Sequence, residues 1–220
     1  MKELIILNQT KNSSWYEPWN KRSLGLNIIG FMLIAILNAL FTVFFDIVMI
    51  GIGYIYIYFV LIFLMMVTYF FIFNLKTKAT ATFFFGLCGI MGIPIEFILE
   101  WQIENTLKSP WGAVYWALIY VGYGLSIDLS LWLLKPAKKE RRAVLISSLF
   151  SSISIILLSI LAGGTFYKTG FSVPGVDDFL THGYFMIPYS IIQGIMGGFL
   201  GWYLANYALK RRIQKQNLIM

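Results

Sequence analysis

Six apolar segments, each long enough to cross a bilayer, alternate along this chain with polar connections. The predicted spans are 24–48, 51–75, 80–101, 111–134, 143–164 and 182–209. A helix of about 20 apolar residues satisfies all of its own backbone hydrogen bonds in hydrocarbon, where no water is present to do so. The sequence therefore predicts an all-α membrane protein, a bundle of six transmembrane helices.

The basic residues of the connections predict the orientation of these spans. With a cytoplasmic N-terminus, 15 of the 17 Lys and Arg residues fall in cytoplasmic segments, and only Lys108 and Lys168 fall outside. Lys and Arg are enriched in the cytoplasmic loops of membrane proteins, so we expect both termini in the cytoplasm. The expected organisation is a cytoplasmic or interfacial segment 1–23, a transmembrane domain 24–209 and a basic cytoplasmic tail 210–220.

The composition supports a multi-pass protein of the cell membrane. Apolar residues make up 59% of the chain and charged residues only 12%, which is more apolar surface than a soluble domain of 220 residues can bury. The net charge of +7 follows from orientation and from attraction to anionic lipid headgroups, so we expect no nucleic acid partner. Trp15 and Trp19 indicate that the N-terminal segment lies at the cytoplasmic interface.

The sequence contains no motif of catalysis or cofactor binding. The single histidine, His182, and the single cysteine, Cys88, make a His/Cys metal site or a haem site improbable. Walker-type phosphate loops and the HExxH, CxxC and GxSxG motifs do not occur. We therefore expect no enzyme activity, no cofactor and no metal, and we interpret Cys88 as a small packing residue.

Acidic residues in the spans are the main indication of a site. A carboxylate in hydrocarbon costs about 2.5–3.5 kcal/mol, so it usually faces the bundle interior and has a role. Glu96 and Glu100 are four residues apart on one face of the third span, which Trp101 and Glu104 extend outward. That span has no basic residue, so a cationic or hydrogen-bond-donating ligand would suit these acids. Alternatively, the acids lie in the outer headgroup region in contact with water, Glu96 being the deepest.

Asp128 lies within the fourth span, nearer its cytoplasmic end. One interpretation is structural, because the carboxylate could pair with a hydroxyl of the serine-rich fifth span. The other interpretation is contact with a ligand or a partner protein. A proton relay is disfavoured, since no chain of His or further acids continues inward from this residue.

Aromatic residues gather at the outer ends of the spans, among them Trp101, Trp111, Tyr115 and Tyr189. Most aromatics at this depth form the belt at the membrane interface. Trp111 and Tyr115, however, are one turn apart beside a Pro-Trp-Gly corner, so they could face inward and bind a flat ring.

Small residues mark the expected helix contacts. The sixth span carries two overlapping stripes of small residues spaced four apart, Gly194 with Gly198 and Gly197 with Gly201. Such stripes let helix backbones approach closely. The first span carries a similar pair, Ala35 and Ala39.

Together these features resemble the substrate-binding S component of energy-coupling factor transporters, and the resemblance covers most of the chain. Length, six spans, cytoplasmic termini, the alanine pair and a Gly-rich last helix with a basic tail all match. Residues 123–128, Tyr-Gly-Leu-Ser-Ile-Asp, are similar to the Gln-Gly-Leu-Gly-Ala-Glu segment of members for hydroxymethylpyrimidine-like precursors. Residues 188–194, Pro-Tyr-Ser-Ile-Ile-Gln-Gly, are similar to the Tyr-Ser-xxx-Asn-Gly start of the last helix in thiamine-specific members, with Gln193 in place of Asn.

The resemblance implies a non-catalytic binding subunit of a vitamin-uptake transporter. A small amino-bearing heterocycle, with thiamine or its pyrimidine precursor as the leading candidate, would bind at the outer face. A transmembrane T component with two cytoplasmic ATPases would release it inside, and the Ala35/Ala39 face would dock the T component. The implied pocket consists of Glu96, Glu100, Trp111, Tyr115, Tyr189 and Gln193, with Trp101 and Asp128 as further candidates.

The competing hypothesis is a non-catalytic accessory subunit of a larger respiratory or oxidase-type membrane complex. In that case the acids and the glycine stripes serve only helix packing. A third class, a membrane enzyme acting on lipid, has no supporting constellation of residues in the sequence.

Overall fold

The computed structural model describes residues 15–48, 53–104, 111–136, 139–167 and 176–217. These ranges form six α-helices: α1 Lys21–Val48, α2 Gly53–Leu75, α3 Thr80–Glu104, α4 Trp111–Leu134, α5 Glu140–Tyr167 and α6 Val176–Asn217. The prediction of an all-α fold with six helices is therefore confirmed for this part of the chain. We name the end of the bundle that holds the α2–α3 and α4–α5 connections the inner end.

The last helix is longer than predicted. α6 has 42 residues, which corresponds to about 63 Å, and it continues to Asn217 instead of ending near residue 209. Residues 203–217 contain no Gly or Pro and are rich in Ala, Leu, Lys, Arg and Gln, which favour helix. The basic residues expected in a separate tail therefore lie on the helix itself.

The helices pack in a ring in the order α1, α2, α6, α5, α4 and α3, with α3 returning to α1. The most extensive contacts join α2 with α6 and α3 with α4. The described core is apolar and aromatic, and its fully buried members include Met65, Tyr69, Phe84 and Phe85. Cys88 lies in the same core, which confirms its interpretation as a packing residue.

The two glycine stripes of α6 face two different helices. A Cβ atom on Gly197 would lie 2.6 Å from the carbonyl oxygen of Ile62 and 2.7 Å from the Cβ of Met65, both in α2. One turn later, Gly201 approaches the backbone of α2 as closely. The other stripe faces serine side chains of α5. The prediction that these stripes are packing surfaces is therefore confirmed.

Residues 15–20, the N-terminal strap, cross the connection between α2 and α3. The backbone N–H of Glu17 donates to the carbonyl of Lys76 at 2.8 Å, and the indole N–H of Trp19 donates to the carbonyl of Lys78 at 3.2 Å. The strap is thus hydrogen-bonded to the inner end of the bundle. The predicted interfacial position of this segment stays a prediction.

The strap leads into α1 through a reciprocal cap. The Ser23 N–H donates to Oδ1 of Asn20 and the Asn20 N–H donates to Oγ of Ser23, both at 2.8 Å. These bonds satisfy donors that the first turn of a helix leaves without partners. At the other end of the strap, the ring of Trp15 packs edge-on against Phe73 of α2, with 5.4 Å between centroids. The two attachments fix where α1 begins.

Large apolar side chains are exposed on the surface of all six helices. On α1 they recur every fourth residue, at Leu24, Ile28, Met32 and Ile36. Soluble monomers rarely expose contiguous apolar surface of this extent. Such a surface needs either lipid or a partner to cover it.

One helical segment of the described ranges is by itself long and apolar enough to cross a membrane, Ala117–Leu134 of α4. Shorter apolar stretches are Leu61–Leu75 of α2 and Thr80–Met91 of α3. The core helix of a soluble protein meets the same criterion of length and composition. Spanning of the membrane by all six helices therefore stays a prediction.

Candidate functional site

The predicted ligand-binding residues fall into two groups. Five of them have side chains that lie outside the described residues: Glu96, Glu100, Trp101, Trp111 and Tyr115. Their backbone positions are assigned, and the two glutamates lie one turn apart within α3, as expected. The surroundings of the other three, Asp128, Tyr189 and Gln193, are described.

Gln193 lies inside the bundle. Its side chain is 3% exposed, and it lies one turn before Gly197, which faces α2. Its side-chain oxygen Oε1 accepts no hydrogen bond from any described residue. Leaving a buried acceptor unsatisfied costs about 1–3 kcal/mol. Tyr189 is 38% exposed, so the two predicted residues of α6 differ in environment.

Two buried tyrosines that the sequence analysis did not select join helices close to this level. The Tyr69 hydroxyl of α2 lies 2.6 Å from Oγ of Ser147 in α5, and the Tyr123 hydroxyl of α4 donates to the Met65 sulfur of α2 at 2.8 Å. Both tyrosines are surrounded in sequence by apolar residues, so no pattern separates them from aromatics that face lipid. Their hydroxyl groups make the interior of the bundle more polar than hydropathy indicates.

The serines of α5 have two roles. Ser147 forms an interhelical hydrogen bond with the Tyr69 hydroxyl of α2 and also donates to the carbonyl of Val144 in its own helix, at 3.2 Å. Ser151 and Ser152 likewise donate to a carbonyl of their own helix, that of Ser148, at 3.0 and 2.8 Å. A hydroxyl bonded in this way can still accept a hydrogen bond, because each has two lone pairs.

Two prolines interrupt the backbone hydrogen bonding of α3 and α6 at similar depth. Pro94 follows the first residue of α3, Thr80, by about 21 Å of helix. Pro188 precedes Trp202, which hydrogen-bonds to Glu140 at the inner end, by about 21 Å as well. Proline has no N–H, so the carbonyl four residues earlier loses its helical partner. Both helices therefore lose one backbone hydrogen bond at a level just outward of Gln193.

Asp128 accepts three hydrogen bonds from the first turn of α3. Its Oδ2 accepts from the N–H and from the hydroxyl of Thr82, both at 2.7 Å, and its Oδ1 accepts from the N–H of Ala81 at 3.3 Å. These N–H groups have no partner within their own helix, and a carboxylate at this end also interacts favourably with the helix dipole. The predicted pairing with a serine of the fifth span is wrong. Because α4 runs antiparallel to α3, its inner end meets the start of α3 instead.

The Asp128 carboxylate lines an open cleft of about 220 Å³ at the inner end, between the strap, the start of α3 and the last turns of α4. The other lining residues include Tyr16, Lys78, Thr82, Leu125, Leu129 and Trp132. Burial raises the pKa of the Tyr16 phenol, and the negative charge of Asp128 acts in the same direction. Tyr16 is therefore a neutral hydroxyl at physiological pH.

Ala35 of α1 is partly buried and packs against the apolar core, whereas the side chain of Ala39 lies outside the described residues. Docking of a partner helix on this pair stays a prediction.

Within the described ranges, no cluster of three or more His, Cys, Asp or Glu side chains is placed to hold a metal ion. No family model, no curated protein and no solved structure matches this chain.

Proposed function

We propose that this chain is a multi-pass protein of the cell membrane that binds a small, amino-bearing heterocycle in the outer half of its helix bundle. The observation that carries the proposal is the buried carbonyl oxygen of Gln193, which has no partner among the described residues. Buried polar groups are nearly always hydrogen-bonded, and polar groups inside a membrane bundle commonly mark a substrate path. A bound molecule with an N–H or O–H group would satisfy this oxygen.

Close packing of the inner half supports an opening toward the outer side. Gly197 and Gly201 bring the backbones of α6 and α2 together, and the contact of Tyr123 with Met65 joins α4 to α2. A molecule that reaches Gln193 would therefore approach from the other direction. Proline-interrupted helices are a common feature of membrane binding sites, since they free backbone carbonyls there.

Glu96 and Glu100 are the proposed recognition groups for the ligand. Both follow Pro94 in α3, so they lie outward of it, and a carboxylate can accept hydrogen bonds from an exocyclic amine and from a protonated ring nitrogen. Trp111 and Tyr115 would stack on the ring. This combination suits thiamine or its pyrimidine precursor. Asp128 is not part of the proposed pocket, because it lies at the opposite, inner end of the bundle.

The proposed role is that of a non-catalytic S component. A T component and two cytoplasmic ATPases would couple ligand release to ATP hydrolysis, because the chain itself has no phosphate-binding loop. We propose the α1 face around Ala35 and Ala39 as the docking surface for the T component. Two features support this surface: within the described part of the chain α1 contacts no helix other than α2 and α3, and Ala35 is only partly buried.

Gln193→Met should weaken ligand binding about tenfold. Methionine has nearly the same volume and flexibility as glutamine but offers no strong acceptor, so the variant loses one hydrogen bond of about 1.4 kcal/mol. Binding can be measured by titrating the purified protein with thiamine and with hydroxymethylpyrimidine while following tryptophan fluorescence. Trp101 and Trp111 would lie beside the bound ring, so we expect their emission to be quenched.

Asn206→Leu is the matched control for this experiment. Asn206 is another amide of α6, but it lies near the inner end, and among the described residues its side chain donates to the carbonyl of Trp202 in its own helix. This variant should bind as tightly as the unmodified protein. If a panel of vitamins and precursors changes neither fluorescence nor thermal stability of the unmodified protein, the vitamin-binding proposal is wrong. If a ligand binds and Gln193→Met has no effect, the site is assigned wrongly.

Orientation can be tested independently of any ligand. In a Cys88→Ser background, cysteines introduced as Lys139→Cys and Lys215→Cys should react with an impermeant maleimide only after the membrane is opened. Gly175→Cys should react in intact cells, since 15 of 17 basic residues predict its segment outside. The reverse labelling pattern would contradict both the topology and the placement of the proposed pocket at the outer face.

A further inference from the structure

Asp128 lies on a face of α4 that is otherwise apolar and exposed. Leu125, Leu129 and Trp132 are all exposed, and together with Asp128 they occupy positions three or four residues apart along the helix. Asp128 itself is partly exposed. Asp128 therefore lies among side chains that would contact the acyl chains of a bilayer.

This carboxylate has no positive partner within the described part of the chain. Its hydrogen-bond donors are the neutral groups of Ala81 and Thr82. Oδ1 accepts only one of those bonds, at 3.3 Å, so it has the capacity to accept a further hydrogen bond. A negative charge at the edge of a bilayer is stabilised by a cation.

The rim of the cleft adds groups of the opposite character. Lys78 lines the cleft and carries a positive charge, and Trp132 contributes an aromatic ring. Asp128 precedes the last residue of α4, Leu134, by about 9 Å of helix. α4 is about 36 Å long, so in a bilayer with a hydrocarbon core of about 30 Å Asp128 lies about 6 Å inside the inner edge of that core.

We propose that this cleft binds a phospholipid with a primary-amine headgroup, such as phosphatidylethanolamine, from the inner leaflet. The ammonium group would donate to Oδ1 of Asp128, Lys78 would contact the lipid phosphate, and the acyl chains would run along Leu125 and Leu129. The proposal rests on the membrane embedding proposed above but not on the ligand pocket of the outer half. A zwitterionic headgroup fits because the cleft offers one charge of each sign.

The test compares lipids that differ only in the amine. The protein is reconstituted in nanodiscs that contain phosphatidylglycerol with either phosphatidylethanolamine or phosphatidylcholine. Choline has no N–H, so it cannot donate a hydrogen bond to Asp128. Native mass spectrometry of the released protein should show about tenfold greater retention of the ethanolamine lipid, as expected for one charge-assisted hydrogen bond. Thermal unfolding should occur at higher temperature in the ethanolamine discs.

Three variants separate the lipid site from the helix cap. Leu129→Trp fills the cleft without touching the cap, so it should abolish the preference and leave stability in phosphatidylcholine unchanged. Asp128→Asn keeps an acceptor but removes the charge, so it should also lose the preference. Glu140→Gln, a change at another acid of the inner end, should retain it.

Equal retention of the two lipids by the unmodified protein would overturn the proposal, as would full preference in Leu129→Trp. Either result would leave the proposed vitamin binding intact. Extraction of the chain from cell membranes by alkaline carbonate, in contrast, would contradict membrane embedding and with it both proposals.

Discussion

Gly201→Leu should prevent the bundle from closing. A Cβ atom at this position would collide with the carbonyl oxygen of Met66 and lie 2.9 Å from the backbone nitrogen of Phe70. Backbone atoms of a helix cannot move aside as a flexible side chain can, so α6 and α2 would have to separate along their most extensive contact. We expect a loss of at least about 3 kcal/mol of stability. The measurement is the fraction of monodisperse protein recovered in detergent and its unfolding temperature.

Gly25→Ala is the control for this substitution. Gly25 lies on the exposed side of α1, and a Cβ atom there would meet no atom within 4 Å. Alanine favours helix over glycine by up to about 1 kcal/mol, so this variant should be as stable as the unmodified protein or slightly more stable. If Gly201→Leu folds as well as Gly25→Ala, the close approach of α6 to α2 is wrong.

Asp128→Ala should lower the stability by about 2–4 kcal/mol. The variant removes three hydrogen bonds to a charged acceptor and leaves the N–H groups of Ala81 and Thr82 without partners at the start of α3. The N-terminal strap lies against the same turn, so its contacts should weaken as well. Hydrogen exchange of residues 80–83 should rise well before that of the bundle core.

Glu140→Ala is the comparison for this experiment. Glu140 accepts one hydrogen bond, from the indole N–H of Trp202 at 3.0 Å, at a position that is only partly buried. Its loss should cost about 1 kcal/mol or less. Equal effects of the two substitutions would contradict a special role of Asp128 in holding α3.

The number of helices and their positions along the chain follow from hydropathy, because six long apolar segments alternate with polar connections. The stripes of α6 were likewise predictable, since small residues four apart have few roles other than close packing. The position at which α6 ends could not be predicted from hydropathy. Hydropathy falls where the basic residues begin near Lys210, but helix propensity continues to Asn217, and the two signals report different properties.

The interactions that hold the site could be predicted only in part. Burial of Gln193 agrees with its selection as a candidate pocket residue, which came from the resemblance of residues 188–194 to the start of the last helix in thiamine-specific S components. The partner of Asp128 was missed, because the capped N–H groups lie 46 and 47 residues away in the chain. Which helix start a carboxylate meets depends on the order of helices in the ring, and that order is not encoded in any local pattern. Tyr69 and Tyr123 were missed for the same reason.

The N-terminal strap also imposes an order in time. Trp19 and its acceptor at Lys78 are separated by 59 residues. At a synthesis rate of about 5–20 residues per second, this interval corresponds to roughly 3–12 s. During that time α1 has been synthesised, but the indole N–H of Trp19 has no acceptor, because Lys78 follows α2 in the chain. α2 must therefore be completed before this hydrogen bond can form. The strap can therefore attach to the inner end of the bundle only after the first two helices and their connection have been synthesised.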